Sequence, residues 1–532
     1  MTAAAHGSEA PRAVSLSIGV RQNLVETWLR WIVEIPAAVV VVAEVVILFV
    51  GIIARAVFHS PIIWTDELAS VLFLWLAMFG SAIAVQRSNH MRLTFFVSMV
   101  PRRARVWAET LSVGAVALFL VIILHPALDY VQDQSFVETP ALGWSGTIRA
   151  LAIPVGCVLA FMNCCLRLVR QDPRDLLGVL LLMGAVAAVA YFAAPSLTAL
   201  GQGSLLVFFV GFLGLAVMAG VPIAFSFSLA TAAYLMTTTT TPLTVVVGRM
   251  DEGMSGLILL AVPLFVLLGQ LVDATGMARV MVASLAALLG HVRAGMSYVL
   301  LGAMLLVSGI SGSKTADMAA VAPVLFPEMR KRGLKDGELV SLLAASGAMS
   351  ETIPPSIVLI AIASVTGVSI AALFTAGILP AVVLALVLAL VARWRAGREE
   401  DSIVVPRAPF SVVRRTFVIA FPALMLPFLI RSAVVRGVAT ATEASTIGIA
   451  YSLVVGLLIY RGGLRWRAVL PMLVQTASLS GAILFIVGAA SAMGWALTQS
   501  GFSHDLAAMM AAVPGGATGF LLISIVAFIV LG

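Results

Sequence analysis

Residues 296–327 have the sequence MSYVLLGAMLLVSGISGSKTADMAAVAPVLFP, in which two apolar arms flank a small and polar break at residues 308–313. As a helix, each arm reaches only about 20 Å, whereas the hydrocarbon core of a bilayer is about 30 Å thick. Basic residues lie on both sides of the stretch, and they mark both of its ends as cytoplasmic. The flanking basic residues are Arg293, Arg330, Lys331, Arg332 and Lys335. The sequence therefore predicts a re-entrant hairpin whose tip lies inside the membrane.

A second interruption follows in the apolar run 338–366, at Glu351-Thr352-Ile353-Pro354-Pro355-Ser356. The two prolines lack backbone donors and must end the first half of the helix. Unwound backbone deep in a bilayer is tolerated where protein or a water-filled cavity satisfies its polar groups. A hairpin tip that faces a broken helix offers carbonyls and hydroxyls to a cation and helix N-termini to an anion. Four uncharged hydroxyls at the two breaks suit sodium better than a soft metal, namely those of Ser311, Ser313, Thr352 and Ser356.

Each motif also has a purely structural interpretation. Gly309 and Gly312 are residues that allow close helix packing, and Pro354-Pro355 could be a simple kink. The basic flanks of the hairpin favour the functional interpretation when both motifs are taken together. Glu67 and Glu443 lie near the ends of apolar runs, and we interpret them as interfacial or packing groups.

Lys314 is one of only three lysines in the chain and falls near the predicted hairpin tip. Burying its charge costs about 3 kcal/mol in membrane insertion, so it needs a partner. Asp317, one helical turn along, is one candidate. Glu351 or a carboxylate of the substrate is the other, and the sequence leaves the choice open.

Composition places most of the chain in lipid. Of 532 residues, 61% are apolar and 11% are charged, and the mean hydropathy is +1.09. About a dozen apolar runs are long enough to be membrane segments. The net charge of +7 comes from clusters between these runs, which indicates topology rather than nucleic-acid binding. The three cysteines, Cys157, Cys164 and Cys165, share one apolar run and suggest neither disulfides nor a metal site.

The positive-inside rule orders the first part of the chain. With residues 1–35 as a cytoplasmic leader, four crossings form a unit with both ends inside, and a fifth apolar run connects it to the rest. The four crossings are predicted at 36–58, 68–85, 106–128 and 148–166, and the connecting helix at 176–196. The predicted units are therefore 1–175, a connector at 176–202, and a second unit at 203–532.

The second unit shows a weak internal repeat. Its predicted segments before the hairpin are 204–219, 222–237, 255–273 and 276–290, and a span at 371–392 leads into a basic linker. After the linker, runs at 416–431, 446–460, 469–497 and 502–513 repeat the pattern. The step from Gly276 to the break at Gly309, applied to Gly501, points just past Gly532. We therefore expect an inverted repeat in a sequence that stops where a second hairpin should turn.

These motifs resemble the fused membrane component of tripartite ATP-independent periplasmic (TRAP) transporters. The first unit resembles the small Q-type subunit at Trp64-Thr65-Asp66-Glu67-Leu68, Gly80 with Ala82, Asn89-His90-Met91-Arg92 and Pro101. The second resembles the large M-type subunit at Gly220-Val221-Pro222-Ile223, Val262-Pro263-Leu264-Phe265, Gly309-Ile310-Ser311-Gly312-Ser313 with Asp317, Ile353-Pro354-Pro355-Ser356 and Ala439-Thr440-Ala441-Thr442-Glu443-Ala444. Three positions depart from the family pattern: Ser350-Glu351 stands where Gly-Pro is usual, Lys314 replaces a small residue, and Ala441 replaces a proline.

The resemblance implies sodium-driven uptake of an organic acid, such as a dicarboxylate, across the bacterial inner membrane. A periplasmic binding protein would deliver the substrate, and the large unit would move by an elevator mechanism. No cofactor is implied beyond sodium as the coupling ion. The implied sodium ligands are Ser311, Gly312, Ser313, Ile353, Pro354, Pro355 and Ser356. The implied substrate-binding residues are Lys314, Asp317, Glu351 and Thr352.

Two other function classes fit parts of the sequence. Gly309-Ile310-Ser311-Gly312 matches the G-x-S-G pattern of a serine protease, but none of the six histidines lies in the middle of a span of the second unit. The second class is a symporter that works without a binding protein, and the four-helix first unit argues against it. Energetics favour at least two sodium ions per cycle. A dicarboxylate carried with two sodium ions has no net charge and gains nothing from membrane voltage, which favours a number above two.

Overall fold

The computed structural model describes residues 24–396, 406–460 and 465–531. Within these ranges the chain is helical, with one isolated β-bridge between Glu138 and Ser145 and no strand. Ten of the described helices are long and apolar enough to cross a membrane, and six shorter helices are also apolar. The all-α, multi-pass architecture predicted from the sequence is confirmed.

The N-terminal unit contains four crossings and one short surface helix. Its helices are α1 Leu24–Ala56, α2 Trp64–Arg87, α3 Phe95–Met99, α4 Arg102–Asp133, α5 Thr147–Ala150 and α6 Ala152–Leu168, with a 3-10 turn at Gln134–Phe136. The helices α5 and α6 follow each other directly and make one crossing. The predicted four crossings are therefore all present.

The first crossing begins earlier than the sequence suggested. Helix α1 already starts at Leu24 and continues through Pro36, so residues 24–35 extend the helix instead of forming a leader. The charges in this extension are paired: Glu34 accepts from Arg87 of α2 at 2.5 Å and lies 3.6 Å from Arg30. These ion pairs stabilise the polar end of the helix, which hydropathy alone could not recognise. Residues 1–23 lie outside the described residues.

The connecting helix is α7, Pro173–Ala199. It begins at a good cap, because the Asp172 side chain accepts from Arg174 N at 3.0 Å and proline occupies the first helical position. Val179 is the only residue of this helix that is buried in the protein. The remaining apolar surface is therefore available to lipid.

The second unit begins with short helices and contains both interruptions. Its first part comprises α8 Gly203–Leu205, a π-helical segment Leu206–Phe212, α9 Leu213–Met218, α10 Ile223–Thr238, α11 Thr244–Met254, a 3-10 turn Leu257–Leu260, α12 Ala261–Ala274, α13 Met277–Leu289, α14 Gly295–Ser311, α15 Lys314–Lys331, α16 Asp336–Ser350, α17 Ile357–Thr366 and α18 Ile370–Ala396. Its second part comprises α19 Phe410–Val435, α20 Ala441–Leu458, α21 Trp466–Gln499, α22 Phe502–Ala511 and α23 Gly516–Leu531.

One helix was missed. No helix is predicted from the sequence between residues 237 and 255, whereas α11 occupies Thr244–Met254. Its charged residues keep the hydropathy of this stretch low, although Asp251 is fully buried. The Asp251 carboxylate accepts from Arg149 at 2.5 Å and from the Tyr130 hydroxyl at 2.7 Å, both on the N-terminal unit. The missed helix thus joins the two units through a buried ion pair.

Helix α21 also joins the units, by direct backbone contact with α2. A Cβ on Gly80 would lie 2.0 Å from the carbonyl oxygen of Ala477, and a Cβ on Gly481 would lie 2.3 Å from the carbonyl carbon of Gly80. Neither position can therefore hold a side chain without moving the helices apart. Small residues of this kind are typical of close helix contacts in membranes.

Candidate functional site

The predicted hairpin is present, with its turn at Gly312 and Ser313. Helix α14 ends at Ser311 and α15 begins at Lys314, and the two helices pack against each other. Gly312 has a φ of 62°, in the left-handed region that favours glycine, and Ser313 is extended. The arms are each about 26 Å long at the usual helical rise, so they are longer than predicted but still shorter than a full crossing.

The predicted helix break is also present. Helix α16 ends at Ser350 and α17 begins at Ile357, with the Pro354–Pro355 peptide bond in the cis form. The Ser356 hydroxyl accepts from Leu359 N at 3.3 Å and caps α17. The backbone of the intervening residues turns back on itself, as Ile353 N donates to Ser350 O at 3.1 Å.

The two breaks lie against each other. Ile357 N donates a long hydrogen bond of 3.4 Å to the carbonyl oxygen of Gly312. A Cβ on Gly312 would lie 2.8 Å from the Pro355 carbonyl oxygen, and one on Gly309 would lie 3.0 Å from Pro427 Cβ of α19. The glycines of the hairpin are thus needed for close packing, and this packing brings the carbonyl of Pro355 onto the hairpin tip.

A buried carboxyl group lies behind the hairpin tip. Asp317 is fully buried, and its Oδ1 accepts a short hydrogen bond from the Ser311 hydroxyl. Asp317 Oδ2 has no hydrogen-bond partner among the described residues. The nearby Ser308 hydroxyl donates instead to Ser350 O at 2.9 Å, and that of Ser350 donates to Gly347 O at 2.7 Å. Both hydroxyls also lie close enough to the Asp317 carboxyl group to interact with it, so polar groups of the hairpin and of the broken helix surround this carboxyl group.

The packing around Ser311 leaves no free space behind it. Ser311 is buried, its Oγ accepts from Ser313 N at 3.1 Å, and a Cβ on Gly269 of α12 would lie 2.4 Å from Ser311 Cβ. The hydroxyl is consequently held in place from two sides. A fixed orientation of this kind is what an ion-binding oxygen requires.

Lys314 pairs with Glu351, which answers the question that the sequence left open. The Lys314 Nζ lies 2.8 Å from Glu351 Oε1, and both side chains are partly exposed. Asp317, the other candidate, is bound to Ser311 on the buried side of the hairpin. The ion pair bridges the hairpin tip and the helix break at an accessible place. Thr352, the remaining residue predicted to contact substrate, is half-buried, and its hydroxyl donates to Met349 O at 2.8 Å.

Glu67 and Glu443 have packing roles, as expected. Glu67 Oε2 accepts from Ala141 N at 2.8 Å and from Leu142 N at 3.0 Å, which fixes an extramembrane loop to α2. Glu443 forms a capping box with Thr440 at the start of α20 and an ion pair with Arg55 of α1.

Three buried acidic residues were not identified from the sequence: Glu34, described above, Glu44 and Asp251. Glu44 of α1 is fully buried, and neither carboxyl oxygen has a hydrogen-bond partner among the described residues. A lone glutamate inside an apolar run was a signal that could have found it. Asp251 gave no such signal, because it lies in a stretch of low hydropathy. Groups of three or more His, Cys, Asp or Glu side chains that could hold a metal ion do not occur in the part of the chain that the structure describes.

The re-entrant hairpin, the broken helix in contact with it and the many crossings define a multi-pass membrane permease of the secondary-transporter class. Comparison with known families identifies it more closely. Residues 209–532 match the tripartite ATP-independent periplasmic transporter DctM component, and residues 44–174 match the DctQ component. The chain belongs to the TRAP transporter family, with both membrane components fused in one polypeptide.

Similar proteins include other fused permeases. The chain is 27% identical to the sialic acid TRAP transporter permease protein SiaT of Haemophilus influenzae, over 87% of this chain and 76% of that protein. It is 25% identical to the isethionate TRAP transporter permease protein DctMQ of Oleidesulfovibrio alaskensis, over 88% and 74% of the two chains. It is 32% identical to the 2,3-diketo-L-gulonate TRAP transporter large permease protein YiaN of Escherichia coli, over 54% and 68%.

Membership in this family settles the broad class of the protein. It is a transporter permease and not an enzyme, so the G-x-S-G pattern at Ser311 does not indicate a protease. TRAP permeases act with a periplasmic substrate-binding protein and carry organic acids.

Proposed function

We propose that this permease imports a small organic acid together with sodium ions. The observation that carries the proposal is the contact between the hairpin tip and the helix break. It gathers hard, uncharged oxygens from two unwound segments, which is the chemistry that suits an alkali cation. The proposed sodium ligands come from Ser311, Gly312, Ser313, Ile353, Pro354, Pro355 and Ser356.

Asp317 adds a charge to this proposed site. Its Oδ1 bonds the Ser311 hydroxyl and its Oδ2 is unpartnered and buried. An ionised carboxylate in such a place needs a compensating cation. A sodium ion at Ser311 would supply one at close range. We predicted Asp317 as a substrate-binding residue, and its burial makes the cation side of the site the better assignment.

The substrate is proposed to bind at Lys314, on the accessible side of the hairpin. Its ion pair with Glu351 keeps the ammonium group oriented while leaving both side chains partly exposed. A substrate carboxylate would replace Glu351 as the partner of Lys314. Thr352, the residue after Glu351, would lie beside the bound carboxylate. Relatives are named for sialic acid, isethionate and C4-dicarboxylates, which supports the proposal of a small organic acid, with dicarboxylates as one candidate class.

The proposed orientation has the N-terminus in the cytoplasm. Arginines are concentrated in the connections at 87–105 and 167–174 and after the hairpin, and the opposite connections hold Asp66, Asp129 and Glu138. The permease would then receive its substrate from a periplasmic binding protein on the acidic side.

The proposed transport movement is an elevator motion of an inverted-repeat unit. Gly276 and Gly501, which set the phase of the predicted repeat, both have positive φ, at 77° and 83°, and each begins a short helix. Each short helix is followed by an apolar helix, α14 in one case and α23 in the other. This local match supports the repeat, and the mobile unit would carry the hairpin and the break together.

Uptake into proteoliposomes tests the proposal. Radiolabelled succinate, sialic acid and isethionate are each offered with the organism's binding protein outside, and sodium is replaced by choline in matched samples. We expect uptake of one acid that requires sodium and the binding protein. Uptake should rise with an inside-negative potential if the sodium ions outnumber the negative charges of the acid, which takes two ions for a monoanion and three for a dicarboxylate. Sodium-independent uptake would overturn the coupling. Full uptake without the binding protein would favour a stand-alone symporter.

A further inference from the structure

A cavity lined by three arginines, Arg92, Arg105 and Arg167, lies in the seam between the two units. The seam is held by two hydrogen bonds: Ser112 Oγ donates to Gly220 O at 3.0 Å, and Ile223 N donates to Met91 O at 3.0 Å. Beside these bonds are two adjoining open pockets that share Arg92 and Ser112 in their walls. We call them together the seam cavity.

The net charge around the seam cavity is positive. The guanidinium groups of Arg92 and Arg167 are close enough to repel each other. Arg167 donates to Gln86 O at 2.8 Å, whereas Arg92 has neither a hydrogen bond nor an ion pair with any residue that the structure describes. The lining also contains Arg105, which donates to Val97 O at 3.3 Å and to Ser98 O at 2.7 Å, and Glu109, which forms no ion pair with these three arginines. Three positive charges and one negative charge around the cavity favour an anionic ligand, and arginine is the residue that best matches a phosphate.

The buried wall of the cavity offers a hydrogen-bond acceptor. His90 is buried, and its Nε2 lies 3.1 Å from the carbonyl oxygen of Ser81, so this nitrogen carries the proton. Burial lowers the pKa of His90 to about 4, and the ring is therefore neutral at physiological pH. Its Nδ1 has no partner among the described residues. A ligand that brings a hydroxyl next to its phosphate would satisfy this acceptor.

The rim of the cavity has the properties of a membrane-surface segment. Residues 91–100 expose large apolar side chains, including Met91, Phe95 and Met99. The following residues, Arg102 and Arg103, are exposed and basic. Exposed apolar side chains next to arginines are typical of segments that lie in the interface of an anionic membrane. In a membrane, this segment would bring the phosphates of lipid headgroups to the mouth of the cavity.

We propose that the seam cavity binds the headgroup of an anionic phospholipid that carries a free hydroxyl, of the phosphatidylglycerol class. The phosphate lies between Arg92 and Arg167, and the glycerol hydroxyl faces His90. The lipid thereby bridges the two units where they meet. Assignment to the cytoplasmic leaflet rests on the orientation proposed above, but the site itself does not depend on sodium coupling or on the substrate.

Native mass spectrometry of the purified, delipidated permease tests this site. Phosphatidylglycerol, phosphatidylethanolamine and inorganic phosphate are the probes, and Arg92→Gln is the test variant because Arg92 has no partner to lose. We expect phosphatidylglycerol to bind wild type at least tenfold more tightly than phosphatidylethanolamine, and Arg92→Gln to weaken it about tenfold, the loss of one charge-assisted contact. Arg92→Lys should recover part of the affinity. Arg414→Gln, which removes an exposed arginine of α19 that is in neither the lining nor the rim of the cavity, is the matched control and should bind as wild type.

Three outcomes would overturn the assignment. Equal binding of phosphatidylglycerol to wild type and Arg92→Gln would show that the lipid sits elsewhere. Equal binding of the two lipids would remove the role of charge. Displacement of phosphatidylglycerol by millimolar inorganic phosphate, with phosphate alone raising the unfolding temperature, would make a free ion the ligand. The unfolding temperature of lipid-free Arg92→Gln should equal that of wild type, which separates lost binding from lost folding.

Discussion

Replacing Ser311 by alanine tests the proposed ion-binding role of the hairpin tip separately from its role in packing. The alanine keeps the Cβ that lies against Gly269, so the contact between α14 and α12 is retained. It removes the hydroxyl that donates to Asp317 and accepts from Ser313 N at 3.1 Å. Asp317 then keeps only the nearby hydroxyls of Ser308 and Ser350, which already donate to Ser350 O and Gly347 O. The change therefore removes ligand chemistry while leaving the apolar packing in place.

The expected magnitudes follow from these contacts. An unpaired buried carboxyl oxygen costs about 1–3 kcal/mol, which lowers the stability of the sodium-free protein. Loss of one ligand oxygen should weaken sodium binding about tenfold, equivalent to about 1.4 kcal/mol. Binding to the folded state stabilises it by RT ln(1 + [Na⁺]/Kd), so at a sodium concentration of 10 Kd the wild-type protein gains about 1.4 kcal/mol and the variant about 0.4 kcal/mol.

Thermal unfolding measured during a titration with NaCl, at constant ionic strength with choline chloride, gives both quantities. The sodium-free midpoint reports the packing loss, and the concentration for half of the sodium-dependent shift reports affinity. Ser364→Ala is the matched control, since its hydroxyl on α17 donates only to Ala361 O at 2.8 Å. An unchanged sodium titration in Ser311→Ala, with a lower midpoint at every concentration, would refute the proposed role of Ser311 as a ligand.

Three further predictions concern neighbouring positions. Gly312→Ala should abolish uptake and sodium-dependent stabilisation, because its Cβ would lie 2.8 Å from Pro355 O at a φ of 62°; wild-type uptake would show that the two breaks need not touch. Lys314→Met should raise the KM for the transported acid at least tenfold and leave the sodium titration unchanged, whereas an unchanged KM places the substrate elsewhere. Asp251→Asn should destabilise the protein by about 3 kcal/mol through its pairing with Arg149, measured as a lower unfolding midpoint; an unchanged midpoint contradicts this.

The sequence predicted the parts of the fold that leave a local signal. Gly312 and the pair Pro354-Pro355 interrupt apolar runs that are otherwise continuous, so the positions of both breaks could be found from composition and backbone chemistry alone. The positions of the first four crossings were found in the same way, although α1 and α4 are longer than predicted. Helix α11 was missed because its stability comes from packing against α21 and from the pairing of Asp251 with Arg149, and neither contact is visible locally.

The partners of the site residues were less predictable than their positions. Lys314 had two candidates, and only the three-dimensional arrangement shows that Glu351, far along the chain, is the one within 2.8 Å. The contact of Gly309 with Pro427 joins segments separated by more than a hundred residues, and no sequence spacing specifies it. The burial of Glu44 without a hydrogen-bonding partner was not predicted either. It results from the helices that pack around α1 and not from the sequence of α1 itself.

Close packing and ion binding are the two interpretations that the sequence allows for the small residues of the hairpin. At Gly312, the proposed ion binding depends on the same contact that requires close packing. Only a residue without a Cβ can let the Pro355 carbonyl approach the hairpin tip, since an added Cβ would lie 2.8 Å from that oxygen. The same approach brings the Pro355 carbonyl to the hairpin turn, next to Ser311, whose hydroxyl donates to the buried Asp317. If a sodium ion binds between the two segments as proposed, opening of this contact would remove ligands of both segments at once. Ion occupancy and closure of the hairpin on the break would then be thermodynamically linked, and each would favour the other.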